Sequence, residues 1–123
     1  MKPKVCVLED DPIMLEHLVG TLSSLGYQPL PAGTVDEALA LVRREKPVAA
    51  VTDILMPDKD GLNFIMELGA DRPARLVAIS GGGRLSSDAI LQMAKGLGAD
   101  ATLVKPFTVE DLQQALTGGL GDA

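Results

Sequence analysis

The sequence predicts an α/β domain: a doubly wound, five-stranded parallel sheet with helices on both faces. Three observations carry that prediction. Short apolar runs at 4–8, 27–30, 48–52, 76–79 and 101–104 alternate with stretches of helical period, the pattern of successive β-α units. The runs at 5–8, 48–52 and 76–79 are apolar without alternation, as parallel strands covered on both faces should be. The length, 123 residues, suits one domain able to bury a core without disulfides or metal staples.

Taken in order, the first strand runs directly into Glu9-Asp10-Asp11, and Pro12 then sits at a first-turn position of a helix. Leu15, Leu18, Leu22 and Leu25 mark the buried stripe of that helix, and Gly26 suits its C-terminus. The second strand, beginning Tyr27-Gln28-Pro29-Leu30, carries a proline that removes a ladder donor, so it belongs at an edge. Thr34 with Glu37 reads as a capping box ahead of Val35, Ala38, Leu39 and Val42, which hold i, i+3, i+4, i+7 spacing. The third strand, with Val48-Ala49-Ala50-Val51 read as buried, stops on Asp53, and a stiff turn from Pro57 to Gly61 follows. Ile90, Met93, Ala94 and Leu97 mark a later helix, and Thr108 with Asp111 resembles a capping box with a shorter acid ahead of the last one. With strand 2 at an edge, the flavodoxin-like order 2-1-3-4-5 fits. The domain reads as 1–123, with a core at about 4–116 and a tail, TGGLGDA, at 117–123.

Composition narrows the function. The chain is 46% hydrophobic but only 2% aromatic, so the core is aliphatic. The lone cysteine, Cys6, sits inside the first apolar run, which excludes a disulfide framework. A net charge of −6, from 17 acidic and 11 basic residues without a clustered basic patch, argues against direct nucleic-acid binding. No apolar run approaches a membrane span and the start turns acidic too soon for a signal peptide, so a cytoplasmic protein is the expectation.

In open α/β sheets ligands bind outside the C-terminal ends of the strands. Here those ends present Glu9-Asp10-Asp11, Asp53, Ser80 and Lys105. Strands 1 and 3 should lie roughly 5 Å apart, which brings Glu9, Asp10 and Asp53 into one pocket. Three carboxylates that close repel one another, and a divalent cation and a lysine would relieve them. Oxygen-only ligands favour a hard ion such as Mg²⁺, which keeps places open for water and a phosphoryl oxygen. His17 lies within the first helix and reads as a helix residue, solvated or packed. Each feature alone has a plain structural reading, as a turn, a cap or a surface lysine. Their convergence on one crevice is the signal.

The motifs "VLEDDP" at 7–12, "DILMPDKDG" at 53–61, "AIS" at 78–80 and "KPF" at 105–107 give the chain its resemblance, from about 4 to 116, to the receiver domain of two-component response regulators. The resemblance implies that Asp53 takes a phosphoryl group from a phosphohistidine on a sensor histidine kinase or histidine phosphotransfer protein. It implies that Asp10, Asp53 and the backbone carbonyl of Leu55 hold Mg²⁺, with Glu9 supporting, through water or directly, and that Asp11 is less apt as a ligand. Ser80 would hydrogen-bond the phosphoryl group, Lys105 would pair with one of its oxygens, and the Lys105–Pro106 bond would be cis. The outcome would be altered contact with a downstream protein. Catalysis would be limited to self-phosphorylation from a phosphodonor and slow autodephosphorylation. Homodimerisation stays open.

Three positions depart from the commoner pattern. Thr102 stands where receivers often carry a switch aromatic, so the face built from the fourth helix, fifth strand and last helix is not assumed to be the output surface. Leu55 is apolar where a polar side chain would orient attacking water, which implies a longer-lived phosphorylated state. Gly81-Gly82-Gly83 after Ser80 suits an unscreened, mobile loop. The alternatives are a pseudo-receiver that binds partners without phosphorylation, and a receiver cut from a hybrid histidine kinase. Met1 and the immediate start of strand 1 lean toward a stand-alone protein. An aspartate-nucleophile phosphatase would want an acid at Leu55, and a flavin site would want more than one Tyr and two Phe.

Overall fold

Five strands, β1 (Lys4–Leu8), β2 (Gln28–Ala32), β3 (Ala49–Asp53), β4 (Arg75–Ser80) and β5 (Ala101–Val104), pair in parallel in the order β2-β1-β3-β4-β5. The computed structural model describes residues 2–54, 61–80, 92, 95–96 and 98–118. The expected turn at 57–60, the glycines at 81–83, the helix bearing Ile90, Met93, Ala94 and Leu97, and the tail beyond Gly118 lie outside those residues.

Burial follows strand position. β1, β3 and β4 are almost wholly buried, whereas β2 and β5 are only partly covered. β2 is an edge, and both of its prolines serve that place. Gln28 N–H donates to Pro3 O of the segment entering β1, so the alternating positions Pro29 and Pro31 lie where an N–H would point outward. The open edge therefore lacks two donors that an added strand would need.

Helices α1 (Pro12–Ser24), α2 (Val35–Glu45), α3 (Gly61–Leu68) and α4 (Val109–Thr117) cover the sheet, with a short 3₁₀ turn at Gly69–Asp71. Strand parity sorts the core. Even-numbered Cys6, Leu8, Ala50, Leu76 and Ala78 pack with α2 and α3. Odd-numbered Val5, Val7, Ala49, Val51, Val77 and Ile79 pack with α1 and α4. Within the α1 stripe Leu18 and Leu22 are buried, while Leu15 and Leu25 are half-buried.

The helix starts are built locally. Asp11 caps α1, its carboxylate accepting from Ile13 N–H at 3.1 Å, with Pro12 as the first helical residue. Thr108 and Asp111 form the full reciprocal capping box of α4. Thr34 accepts from Glu37 N–H, but its hydroxyl donates to the Glu37 carboxylate, so only half of that expected box is made. Gly26 takes a positive φ of 94° just beyond α1. Val48 is a correction to the expected third strand: the strand begins at Ala49, and Val48 is 49% exposed. Val48 still pairs through its backbone with Lys4 and Arg75, but its side chain lies at the open N-terminal rim of the sheet. No described helix is long and apolar enough to cross a membrane.

Candidate functional site

The register that builds the sheet also builds the site. Leu8 pairs with Thr52, so Glu9 and Asp53 come abreast one step further along. Asp53 is the last residue of β3, opposite Ile79 of β4, and Ile79 is opposite Leu103 of β5. Glu9, Asp53 and Lys105 are all odd-numbered, and they converge on the C-terminal edge of the face that carries α1 and α4.

Glu9, Asp10 and Asp53 each offer a carboxylate oxygen, all within 4.8 Å of one another. Glu9 is 1% exposed and Asp53 7%, while Asp10 is exposed. Lys105 Nζ lies 3.0 Å from Glu9 Oε1 and 3.3 Å from Asp53 Oδ2, bridging the two buried carboxylates. Burial pushes the Glu9 carboxyl up, to about 7; the Lys105 hydrogen bond pulls against this and the Asp53 charge adds to it. Burial also opposes the Lys105 ammonium, yet its hydrogen bond to Glu9 and the charges of Asp53 and Glu9 together hold its pKa above the ordinary value. Hard oxygen donors with a net negative charge fit Mg²⁺, which binds through one or two carboxylates and keeps other positions for water and substrate.

Ser80 ends β4 fully buried, and its carbonyl accepts from Lys105 N–H at 2.8 Å, which ties the ends of β4 and β5 together. The Lys105–Pro106 bond is cis, as expected. Leu55, expected to lend a backbone carbonyl, lies outside the described residues. Asp11 is the cap of α1, and its N–H donates to Glu9 Oε2 at 3.4 Å. His17 is exposed on α1 and, with Met14, Lys105, Pro106 and Phe107, lines a cavity of about 390 Å³ beside the site. Cys6 is buried with its thiol pushed up to about 12 by that burial, and it takes no part.

One contact sharpens an expectation and another was not anticipated from the sequence. The first is the direct Glu9–Lys105 pair, which gives the lysine expected to relieve the carboxylates a specific partner 96 residues away. The other is the fully buried Thr52, whose hydroxyl donates to the Asp53 carbonyl at 2.9 Å. The one available signal for Thr52 was a polar residue between an apolar run and Asp53.

Comparison with known proteins agrees with this architecture. The family model described as the response regulator receiver domain matches residues 5–117. A transcriptional regulatory protein, PdtaR, of Mycobacterium tuberculosis is 32% identical over 114 residues, covering 92% of this chain and 54% of its own length. The chain thus spans about half the length of the curated relatives it matches first. A CheY-like response regulator receiver domain protein from Methanospirillum hungatei superposes with a TM-score of 0.84 at 25% identity, over 96% of this chain and 93% of that one. A response regulator protein from Burkholderia pseudomallei, solved with a phosphorylated aspartic acid, calcium ion and citrate, gives 0.83 at 29% identity over 94% and 66%. The fold, the strand-end chemistry and the family match converge: this chain belongs to the receiver domains of two-component response regulators.

Proposed function

We propose that Asp53 is the phosphoacceptor of this receiver, taking a phosphoryl group from a phosphohistidine on a sensor histidine kinase or histidine phosphotransfer protein. One observation carries the reading. A carboxylate that ends a central strand lies within 4.8 Å of two others and in contact with a half-buried lysine. A structural ion pair needs one acid, not three. The aspartyl phosphate and calcium ion of the Burkholderia pseudomallei structure support the same chemistry on the same fold.

In the reaction an Asp53 carboxylate oxygen attacks phosphorus in line with the leaving imidazole nitrogen. The P–N bond breaks as the O–P bond forms, leaving an acyl phosphate. Asp10, Asp53 and the Leu55 carbonyl would hold Mg²⁺, with Glu9 supporting; when bound, the ion supplies positive charge at the phosphoryl oxygens. Lys105, already 3.3 Å from Asp53 Oδ2, meets a second phosphoryl oxygen, and Ser80 hydrogen-bonds a third. Positioning and charge are most of what phosphoryl transfer asks of a protein. Residues 5–117 act as one receiver unit in the cytoplasm, with self-phosphorylation and slow autodephosphorylation as its only catalysis. Output goes to a downstream protein rather than directly to nucleic acid.

The test is intact mass after incubation with acetyl phosphate or phosphoramidate, with and without Mg²⁺, beside Asp53→Ala. One phosphoryl group that requires both Mg²⁺ and Asp53 is the expected result. No addition under any condition would replace this reading with a receiver that binds partners unmodified.

A further inference from the structure

We infer that Thr52 and Gly61 are positioning residues for phosphoryl transfer, acting as a clamp on the main-chain carbonyl of Asp53. The inference rests on Asp53 being the phosphoacceptor. Thr52 has no exposed surface, and its strand neighbours in register are Leu8 and Ala78. It shares their parity, so its side chain belongs to the α2–α3 face, away from the crevice that holds Glu9 and Lys105. Valine would fill that space without burying a hydroxyl, and burying one without a hydrogen bond is unfavourable. Here the hydroxyl is satisfied by the carbonyl of Asp53, at 2.9 Å.

Gly61 closes the other side. It is the first residue of α3 and is buried. A Cβ there would lie 2.6 Å from Thr52 Oγ1 and 2.8 Å from Ile54 Cα, and closer still to the Asp53 carbonyl oxygen. No side chain fits, because two of those three atoms belong to backbone. The start of α3 therefore abuts the carbonyl of the acceptor residue.

The peptide plane joining Asp53 to Ile54 is thus held at both ends. Its N–H donates to Ile79 O at 3.1 Å, and its C=O receives the Thr52 hydroxyl under Gly61. Fixing that plane fixes ψ of Asp53 and the exit direction of its side chain. The 3.3 Å approach of the carboxylate to Lys105 depends on this direction. Small errors in the alignment of an in-line nucleophile are costly in rate. Neither Thr52 nor Gly61 touches the phosphoryl group; each acts through the Asp53 backbone.

Thr52→Val keeps shape and removes the donor, Thr52→Ser restores it, and Thr52→Ala removes it by a second route should the valine variant fold poorly. Phosphorylation by phosphoramidate would be followed by intact mass across donor and Mg²⁺ concentrations, on protein shown folded by circular dichroism. Thr52→Val should lower the limiting rate about fivefold to tenfold, and Gly61→Ala, whose Cβ overlaps the Asp53 carbonyl, by more. For Thr52→Val, half-saturating donor and Mg²⁺ should stay within about twofold of wild type, because the lost interaction orients the nucleophile rather than binding either ligand. Thr52→Ser should recover most of the rate. A residue needed only for folding would lower the melting temperature and leave the rate of folded protein unchanged. Thr52→Val at the wild-type limiting rate, or Thr52→Ser no better than Thr52→Val, overturns the clamp alone. A wild-type chain that accepts no phosphoryl group overturns both the clamp and the phosphoacceptor reading.

Discussion

The two ends of the sheet carry the same kinds of ion pair and put them to different use. At the C-terminal end, Lys105 bridges Glu9 and Asp53, whose side chains are 1% and 9% exposed. At the other end, Arg43 meets Asp71 at 3.0 Å, but both side chains are about half exposed, at 51% and 55%. Arg43 also donates to Glu67 O, and Arg72 meets Gly98 O and Asp100 nearby. Distances alone do not separate the two sets. Burial does: buried charges feel one another through a low dielectric, exposed ones are screened. A charge set that is tuned by its neighbours is the one to expect at a reacting centre.

The comparison breaks hardest at Lys105. Lys105→Met keeps the stem and removes the charge, leaving two buried carboxylates facing Asp10 with no cation from the protein. The rate of Asp53 phosphorylation should fall by about a hundredfold or more, the usual effect of losing one charge-stabilising group at a reacting centre. The time course of intact mass checks this. A rate within about threefold of wild type would mean that Lys105 only balances charge in the resting fold.

Glu9 sharpens the comparison through pH. In metal-free protein its folded pKa, about 7, lies above the ordinary value of 4.5. Between those values the folded chain keeps a proton that the unfolded chain has lost. Its contribution to stability is therefore complete below pH 4.5, falls as pH rises, and is gone above 7. Lys105 is also raised, but its window starts above 10.5, so it is constant here. In the presence of a chelator, urea unfolding of wild type relative to Glu9→Gln should lose on the order of 2 kcal/mol between pH 4.5 and 7. A flat difference across that range would show that Glu9 is ionised throughout and held by Lys105. At the N-terminal end, Lys4 and Arg44 hold the Glu45 carboxyl below its ordinary value, so any slope it adds has the opposite sign and lies below pH 4.5.

How far the sequence foretold this end of the molecule depends on the range of the interaction. Alternation of apolar runs and the edge proline Pro29 gave the strand order, because both are local consequences of sheet burial. Asp10, Asp53 and Lys105 were legible because strand ends in such sheets converge whatever lies between them. Pro31 went unused, since its place in the second strand shows only once the register to β1 is known. Val48 was misplaced because an apolar residue at the rim has the same letter as one in the core. Thr52 needed coordinates, as did the choice of Glu9 as the direct partner of the lysine expected to relieve the carboxylates: a one-residue hydroxyl contact and a 96-residue bridge leave no periodicity behind. The half-formed box at Thr34, against the complete one at Thr108, turns on one rotamer of Glu37.

The smallest effect is expected at Arg43, and it tests whether the contrast between the two ends is one of burial rather than of geometry. Its contact with Asp71 is as short as that of Lys105 with Glu9, 3.0 Å in each case. If distance set the strength, Arg43→Ala would be costly. Exposed pairs, however, contribute roughly 0.2–1 kcal/mol, because water screens the charges and two long side chains lose freedom. The added bond to Glu67 O raises this little, since that carbonyl sits in an exposed contact. Urea unfolding of Arg43→Ala should differ from wild type by about 0.5 kcal/mol, shrinking further in about 1 M salt, where the screening length is about 3 Å. Phosphorylation of Asp53 should be unchanged. A loss well above about 1 kcal/mol that persists in salt would show that the N-terminal end also holds strongly coupled charges, and burial would no longer distinguish the two ends.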